Sequence, residues 1–317
     1  MHFYYSQYDI ISLMIQKYKT GNLTWVDLNC PTSDEIRQVV AEYEIHPMVA
    51  RELTIPTLRQ KVDLYENFIY LIMHFPSIER SSEGISDQEI DFILGKNFVI
   101  TARYGEVDAL FALSKAFEVE KILDHSSLGK HAGFIFFAMI TKIYESLLHR
   151  IETQKEKAAG IEFDIFKGKE REMVVKISEL SRYLLDFKRA TSLHEEILES
   201  FANVASTFYG KDFDYYLQKL LDEYMKVKNS IRNIQEFVIE LRTTNDSLLV
   251  AKQNQVTQFL TVLAFIGLPL SIITSLFQID TEYRPIVGGP FDFWFIVIIE
   301  AIIALGLYTF FKWKKWL

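Results

Sequence analysis

Cysteine is all but missing. Cys30 is the single one in 317 residues, which excludes an internal disulfide framework and a cysteine-rich zinc site. Proline is absent between Pro76 and Pro269, so nothing in that stretch forbids very long helices. Positive charge is scarce: the net charge is −8, and no basic tract precedes the C-terminal tail. A nucleic-acid surface needs clustered Lys and Arg, so no nucleic-acid partner is expected. The start, MHFYYSQYDI, lacks a basic stretch followed by an apolar run, and no cleaved signal peptide is expected. There is no Walker loop, no HExxH and no glycine-rich strand–helix turn. His194-Glu195-Glu196 has metal-ligand residue types but reads as a surface histidine beside two acids, and Cys30 reads as a packed side chain. An enzyme is not expected, nor a bound cofactor.

What the chain has in abundance is apolar sequence near its end. Phe259–Phe277 reads FLTVLAFIGLPLSIITSLF, without a charge. Phe291–Phe311 is apolar again, apart from Asp292 at its edge and Glu300 inside. A run of about 18 or more such residues crosses the hydrocarbon layer as a helix. Two runs joined by residues 278–290 form a hairpin, so both chain ends lie on one side. The tail carries Lys312, Lys314 and Lys315, and the approach to the first span carries Arg242 and Lys252, whereas the loop has only Arg284. Positive flanks stay cytoplasmic, which puts both termini inside a plasma or inner membrane and the loop outside. Trp294, Trp313 and Trp316 fall near the expected interfaces. The competing reading is a buried core hairpin of a soluble protein.

Seven segments follow from the pattern. An α/β domain is expected over 1–105, helical arms over 106–210, a stalk helix over 211–258 and a first span over 259–277. An outer loop over 278–290, a second span over 291–311 and a basic tail over 312–317 complete the chain. Within the first segment, 4–15, 23–28, 68–75 and 89–102 suggest strands, the last divided by a turn at 95–97, with a loop over 80–88. PTSDEIRQVVAEYEI suggests a helix capped by Thr32 or Ser33, with Glu35 in its first turn. Further on, helices are expected at 106–117, 127–160, 168–208 and 212–277. An antiparallel turn falls near Ala158-Ala159-Gly160 or at Gly168.

The last of these helices would rise roughly 100 Å at about 1.5 Å per residue and cannot stand without packing. Positions 217, 220, 224, 227, 231, 234, 238, 241, 245 and 248 are apolar at all but Asn245, as in a coiled-coil seam. Packing on the protein's own arms would use the same seam. A second stripe, out of phase, runs through Thr243, Ser247, Val250, Asn254, Thr257, Thr261, Ala264, Leu268, Ser271 and Ser275. It is small, rich in hydroxyls, and enters the first span. Such groups in hydrocarbon need water or partners, and the quieter alternative is bonding to their own helix. Two spans cannot enclose a pore, so a water-lined stripe requires several copies around one axis.

Hydroxyls and an amide without fixed charge suit a hydrated divalent cation, since Mg²⁺ sheds water reluctantly. Leu260, Ala264 and Leu268 offer an apolar constriction. Asp280, Glu282 and Asp292 outweigh Arg284 in the loop and would concentrate cations at the mouth, and Glu236 and Glu240 extend the stripe inward. Glu300 stands out, because an ionised carboxylate at mid-membrane costs roughly 2.5–3.5 kcal/mol. It is read either as a proton site or as a group bonded to a neighbouring helix.

These residues resemble the CorA family of divalent-cation transporters over nearly the whole chain. The resemblance is carried by Trp25-Val26-Asp27-Leu28, Pro31-Thr32, His46-Pro47, Glu52 and EIDFILGKNFVIT at 89–101. Nearer the membrane it is carried by Asn254, Leu260-Thr261, Leu268-Pro269-Leu270, Phe277, Glu282-Tyr283, Pro285 and the tail KWKKWL. It implies an α+β cytoplasmic domain, long stalk helices, a two-helix transmembrane hairpin and a homopentamer in the lipid bilayer. The first span would line the pore, with Asn254 and Ser271 facing it, and the second would be peripheral.

Two departures stand out. The family carries Gly-Met-Asn after the first span; here Gln278, Ile279 and Asp280 stand there. Asp280 places a carboxylate where the family binds hydrated metal through an amide, making it the candidate metal ligand at the outer entrance with Glu282. A ring of such carboxylates binds cations more tightly and takes up protons. Lys219 occupies the stalk position where a regulatory acid is expected, with Asp222 nearest. The expected cargo is Mg²⁺, or Co²⁺, Ni²⁺ or Zn²⁺. The alternative is a non-conducting, membrane-anchored sensor or assembly protein on the same scaffold.

Overall fold

A computed structural model describes residues 15–81, 84–105, 110, 131–279, 289, 291–314 and 316; the side chains of 20, 77–81, 84–86 and 292 are not described. The chain forms two compact units, one of Met1–Lys167 with Met173–Leu241 and one of Gly168–Glu172 with Arg242–Leu317. The described arm helices beyond Glu172 and the stalk up to Leu241 belong to the first of these units.

In the first unit the strands are β1 (Gln16–Thr20), β2 (Leu23–Asn29), β3 (Lys61–Leu64), β4 (Phe68–Ser81), β5 (Gly84–Gly95) and β6 (Phe98–Arg103). They form one sheet in the order β1-β2-β6-β5-β4-β3. Only β2 and β6 run parallel, with Trp25 opposite Val99 and Asp27 opposite Thr101. Residues 80–81 and 84–88 are strand and not the expected loop. The β4–β5 ladder continues to the pair Ser81–Gly84, past a register shift between Pro76 and Arg80. Backbone pairing outlasts the polar side chains there, and the shift absorbs the proline, which has no N–H to give the ladder. The expected strand over 4–15 lies outside the described residues except for its last position.

Alternation sorts the strand residues onto two faces. Val26, Leu28, Tyr70, Ile72, Ile93 and Ile100 pack under α1 (Ser33–Tyr43) and α2 (Pro47–Glu52), against Ile36, Val39, Val49 and Leu53. Thr32 caps α1 in a reciprocal box with Glu35, worth about 1 kcal/mol. His46 caps α2, its Nδ1 accepting the Met48 N–H at 3.2 Å, and Pro47 sits at the first turn where its missing N–H costs nothing. On the other face, Phe92 meets Phe136 edge-on at 5.1 Å, and Phe136 meets Phe201 at 4.7 Å.

The Trp25-Val26-Asp27-Leu28 motif now has a physical reason. Trp25 Nε1 donates to Thr101 Oγ1 at 2.9 Å, Thr101 donates to Asp27 at 2.7 Å, and Arg103 Nη2 closes on Asp27 at 3.0 Å. The apolar members of the motif face α1 and α2, while its polar members satisfy one another inside. Cys30 does not pack as expected. It is exposed, at φ 49°, in the turn that leaves β2.

The arms are α3 (Gly133–Phe166), α4 (Glu170–Thr191) and α5 (His194–Tyr209). The antiparallel turn lies at Gly168, at φ 90°, and not at 158–160. The expected helix over 168–208 is broken at Ser192-Leu193. Thr191 and Ser192 turn their hydroxyls onto the carbonyls of Phe187 and Arg189, competing with the helix ladder. Segment 106–117 and the start of 127–160 fall on residues that are largely outside the described set. After a short 3₁₀ turn (Lys211–Phe213), α6 runs from Asp214 to Phe277 as one helix of 64 residues. Its seam is buried from Leu217 to Asn245, with Leu248 half-buried, so it packs within the protein's own chain.

The second unit contains the rest of α6, the turn Gly168–Glu172 and α7 (Asp292–Trp313). Both apolar helices are long enough to cross a membrane, and only 6 % and 0 % of their apolar windows are buried. A soluble core hairpin would be mostly buried, so that competing reading is set aside. Pro269 lies inside α6. It has no N–H to give, which leaves the Phe265 carbonyl without its helical partner.

Candidate functional site

The small stripe on α6 lies entirely within the second unit. Asn254, Thr257, Leu260, Ala264, Leu268, Ser271 and Ser275 are exposed, and Thr261 is half-buried. Leu260 and Leu268 keep 56 % and 63 % of their surface, an unusual exposure for leucine. Thr243 and Ser247 continue the row on the approach, both exposed. Among the described residues nothing covers this face from Asn254 to Ser275 except in part at Thr261.

Three of its hydroxyls are directed by the helix backbone. Thr261 donates to the Thr257 carbonyl at 2.7 Å, Ser271 to Gly267 at 3.0 Å and Ser275 to Ser271 at 2.8 Å. Each proton is spent on the helix backbone, so each oxygen turns its lone pairs outward. A row of outward lone pairs can accept hydrogen bonds from the water shell of a cation. Asn254 has no bonded partner among the described residues and keeps both its donor and its acceptor. The backbone bonding named above as the quieter alternative is therefore present, and it is compatible with a wet face.

Ile279 is exposed and Gln278 ends the helix, its N–H shared between the Thr274 and Ser275 carbonyls at 3.2 Å. Asp280 and Glu282 lie outside the described residues. Glu236 and Glu240 are exposed on the stalk, as are Lys219 and Asp222. Among the described residues no three His, Cys, Asp or Glu side chains come close enough to hold a metal ion.

Glu300 is bonded to Thr274, a contact that joins α7 to α6 within the span. The same hydroxyl lies 2.9 Å from the Leu270 carbonyl, and its one proton serves one of the two acceptors. Sequence reading expected a helix partner for Glu300 but did not find Thr274, which stands one position before Ser275 and off the stripe. Gln258 Nε2 donates to the Trp316 carbonyl at 3.2 Å, and Phe265 meets Phe311 at 6.2 Å, so the hairpin is also tied at its other end.

Two further findings were not legible in sequence. Lys252 Nζ bonds Glu170 Oε2 at 2.6 Å and holds that carboxyl below the usual carboxylate range. His194 is not the expected surface residue. It is fully buried, with Nε2 donating to the His74 carbonyl at 2.7 Å and Nδ1 accepting from the Tyr144 hydroxyl at 3.0 Å. Burial pushes it down to about 4. Its neutral form satisfies both partners, which leaves no lone pair for a metal.

Comparisons with known proteins agree with one another. Residues 20–314 match the family model described as CorA-like Mg²⁺ transporter protein. A cobalt/magnesium transport protein CorA of Thermotoga maritima is 21 % identical over 295 residues, covering 93 % of this chain and 83 % of that one. The complete structure of the CorA magnesium transporter from Methanocaldococcus jannaschii superposes with a TM-score of 0.82 at 18 % identity, covering 93 % of this chain and 92 % of that one. The full-length CmaX protein superposes with a TM-score of 0.70 at 14 % identity, covering 98 % and 93 %.

Proposed function

Because the chain belongs to the CorA-like Mg²⁺ transporter family, we propose that it moves divalent cations across a membrane along α6 of several copies arranged about one axis. The observation that carries this reading is the uncovered row of hydroxyl and amide groups, Asn254 to Ser275, running into an apolar span. A homopentamer, as the family resemblance implies, would bring five such rows together, with Leu260, Ala264 and Leu268 narrowing the path. Both termini then lie in the cytoplasm, and the membrane potential supplies about 2.3 kcal/mol per charge per 100 mV. Asp280 is the proposed outer ligand, and Mg²⁺ or a transition metal such as Co²⁺, Ni²⁺ or Zn²⁺ the proposed cargo. The family match over almost the whole chain weighs against the non-conducting alternative.

The test is metal-by-metal flux into proteoliposomes, wild type beside Asp280→Asn. A metal flux in the wild type and a changed ion preference in the variant support the reading. An intact oligomer with no flux for any of these metals overturns it in favour of the non-conducting scaffold.

A further inference from the structure

The turn joining α3 to α4 combines exposed aromatic and aliphatic side chains with basic ones. Phe163 and Phe166 keep 61 % and 68 % of their surface on the last turn of α3. Val174 and Val175 keep 46 % and 61 % on α4, on the face they share with Arg171. Lys167 lies over the Phe163 ring at 4.0 Å. A solvated turn has no use for such a surface, and monomers seldom expose apolar groups in clusters.

Its depth is fixed within the second unit. Lys252 Nζ holds Glu170 at 2.6 Å and reaches the Gly168 carbonyl at 3.4 Å. Lys252 stands seven residues before Phe259, where the apolar span begins, which is about 10 Å of helix rise and less along the bilayer normal if the helix tilts. The span itself accounts for the roughly 30 Å hydrocarbon core, with some 5–7 Å of headgroups beyond it. Phe166 is two residues from Gly168, so chain geometry keeps their Cα atoms within about 7.6 Å. Covalent connection and one ion pair thus keep the segment Gly168–Glu172 near the start of the span, and Phe166 precedes it by two residues.

We propose that this turn docks on the bilayer surface, with Phe163 and Phe166 entering the acyl boundary and Lys167 and Arg171 meeting anionic headgroups, as interfacial helices do. The proposal rests on the membrane-spanning reading and deepens it. Lys252 neutralises Glu170 and Lys176 faces Asp164 at 3.6 Å, which leaves Glu162 and Glu172 against Lys167, Lys169 and Arg171.

The experiment labels single cysteines with an environment-sensitive fluorophore in full-length protein carrying Cys30→Ser. The sites are Phe166→Cys, Leu263→Cys in the span and Leu58→Cys, which is 99 % exposed in the first unit. Vesicles are phosphatidylcholine with or without phosphatidylglycerol, and the quencher is a nitroxide-bearing lipid. The expected result is quenching at 263 and at 166, stronger at 166 with phosphatidylglycerol, and none at 58. Water-like, unquenched emission at 166 overturns the proposal. So does blue-shifted but unquenched emission at 166, which means that protein covers the turn. Absence of quenching at 263 refutes the membrane reading itself, and this proposal with it.

Discussion

The Tyr104 hydroxyl lies 3.1 Å from Asp91 Oδ2 and 3.1 Å from the Leu53 carbonyl. One hydroxyl has one proton. If Tyr104 gives it to Leu53, Asp91 must supply the other, as a neutral carboxylic acid. Burial, and then the nearby Glu89 charge, raises Asp91 well above its usual range. The two observations agree. A group whose folded pKa is raised contributes stability below its unfolded pKa, and that contribution is lost as pH rises through the folded value. Asp91→Asn keeps a donor and an acceptor and has no proton to lose, so it is expected to be at least as stable as wild type at pH 7 and to flatten the loss of stability as pH rises. Asp91→Ala removes the partner of the Tyr70 hydroxyl, 3.4 Å away, and leaves Tyr104 only the Leu53 carbonyl, and is expected to cost about 1–3 kcal/mol. Urea unfolding of the three proteins across pH measures this.

At the acid end the sign reverses. Burial lowers His194 and His131 from 6.5 to about 4. Stability from these neutral rings is complete above pH 6.5 and is lost as pH falls toward 4. For fully buried His194 the loss is about 3 kcal/mol. Replacing it by Gln retains a donor and an acceptor, and is expected to remove its share of the slope and leave that of His131. Unfolding midpoints between pH 7 and pH 4 provide the check.

The Glu300–Thr274 bond is expected to hold the hairpin and not to carry protons. Glu300→Gln should leave metal flux and its pH response unchanged. Thr274→Val should lower thermal stability in detergent by about 0.6–1.7 kcal/mol, the range for bonds between membrane helices. A flux that becomes insensitive to pH in Glu300→Gln would instead assign the carboxyl a coupling role.

Position on α6 should decide transport more than size does. Ser271→Val replaces an outward oxygen by a methyl group on the stripe, and at least about a tenfold loss of flux is expected, or some 1.4 kcal/mol of barrier. Leu263→Val changes an exposed residue off the stripe and should leave flux unaltered. Equal effects from both would remove the stripe from the pathway.

Much of the architecture was legible because it follows short rules. Strand-length runs rich in β-branched and aromatic residues marked β2, β4, β5 and β6, Thr32 and Glu35 marked the start of α1, and the 3–4 spacing marked the seam from Leu217 to Asn245. The hairpin showed itself by length alone. Less legible was anything that depends on who the neighbour is. His194 next to two acids looks solvated until Phe75 and Tyr144 close over it at 5.0 and 5.8 Å. The Ser192 break hides in a segment whose apolar period continues on both sides. Thr274 gains its role only when α7 returns alongside. The stripe from Asn254 to Ser275 was visible as a pattern, but its hydroxyl directions depend on the helix backbone.

Pro269 gives α6 an uneven stiffness. Up to Phe265 every turn is laced by its own ladder, but there one rung is missing. Leu260 and Ala264 stand before the gap; Leu268, Ser271 and Ser275 stand past Phe265. On the proposed pathway the stretch past the missing rung bends more readily than the stretch before it, so Leu260 and Ala264 belong to a different mechanical element from Ser271 and Ser275.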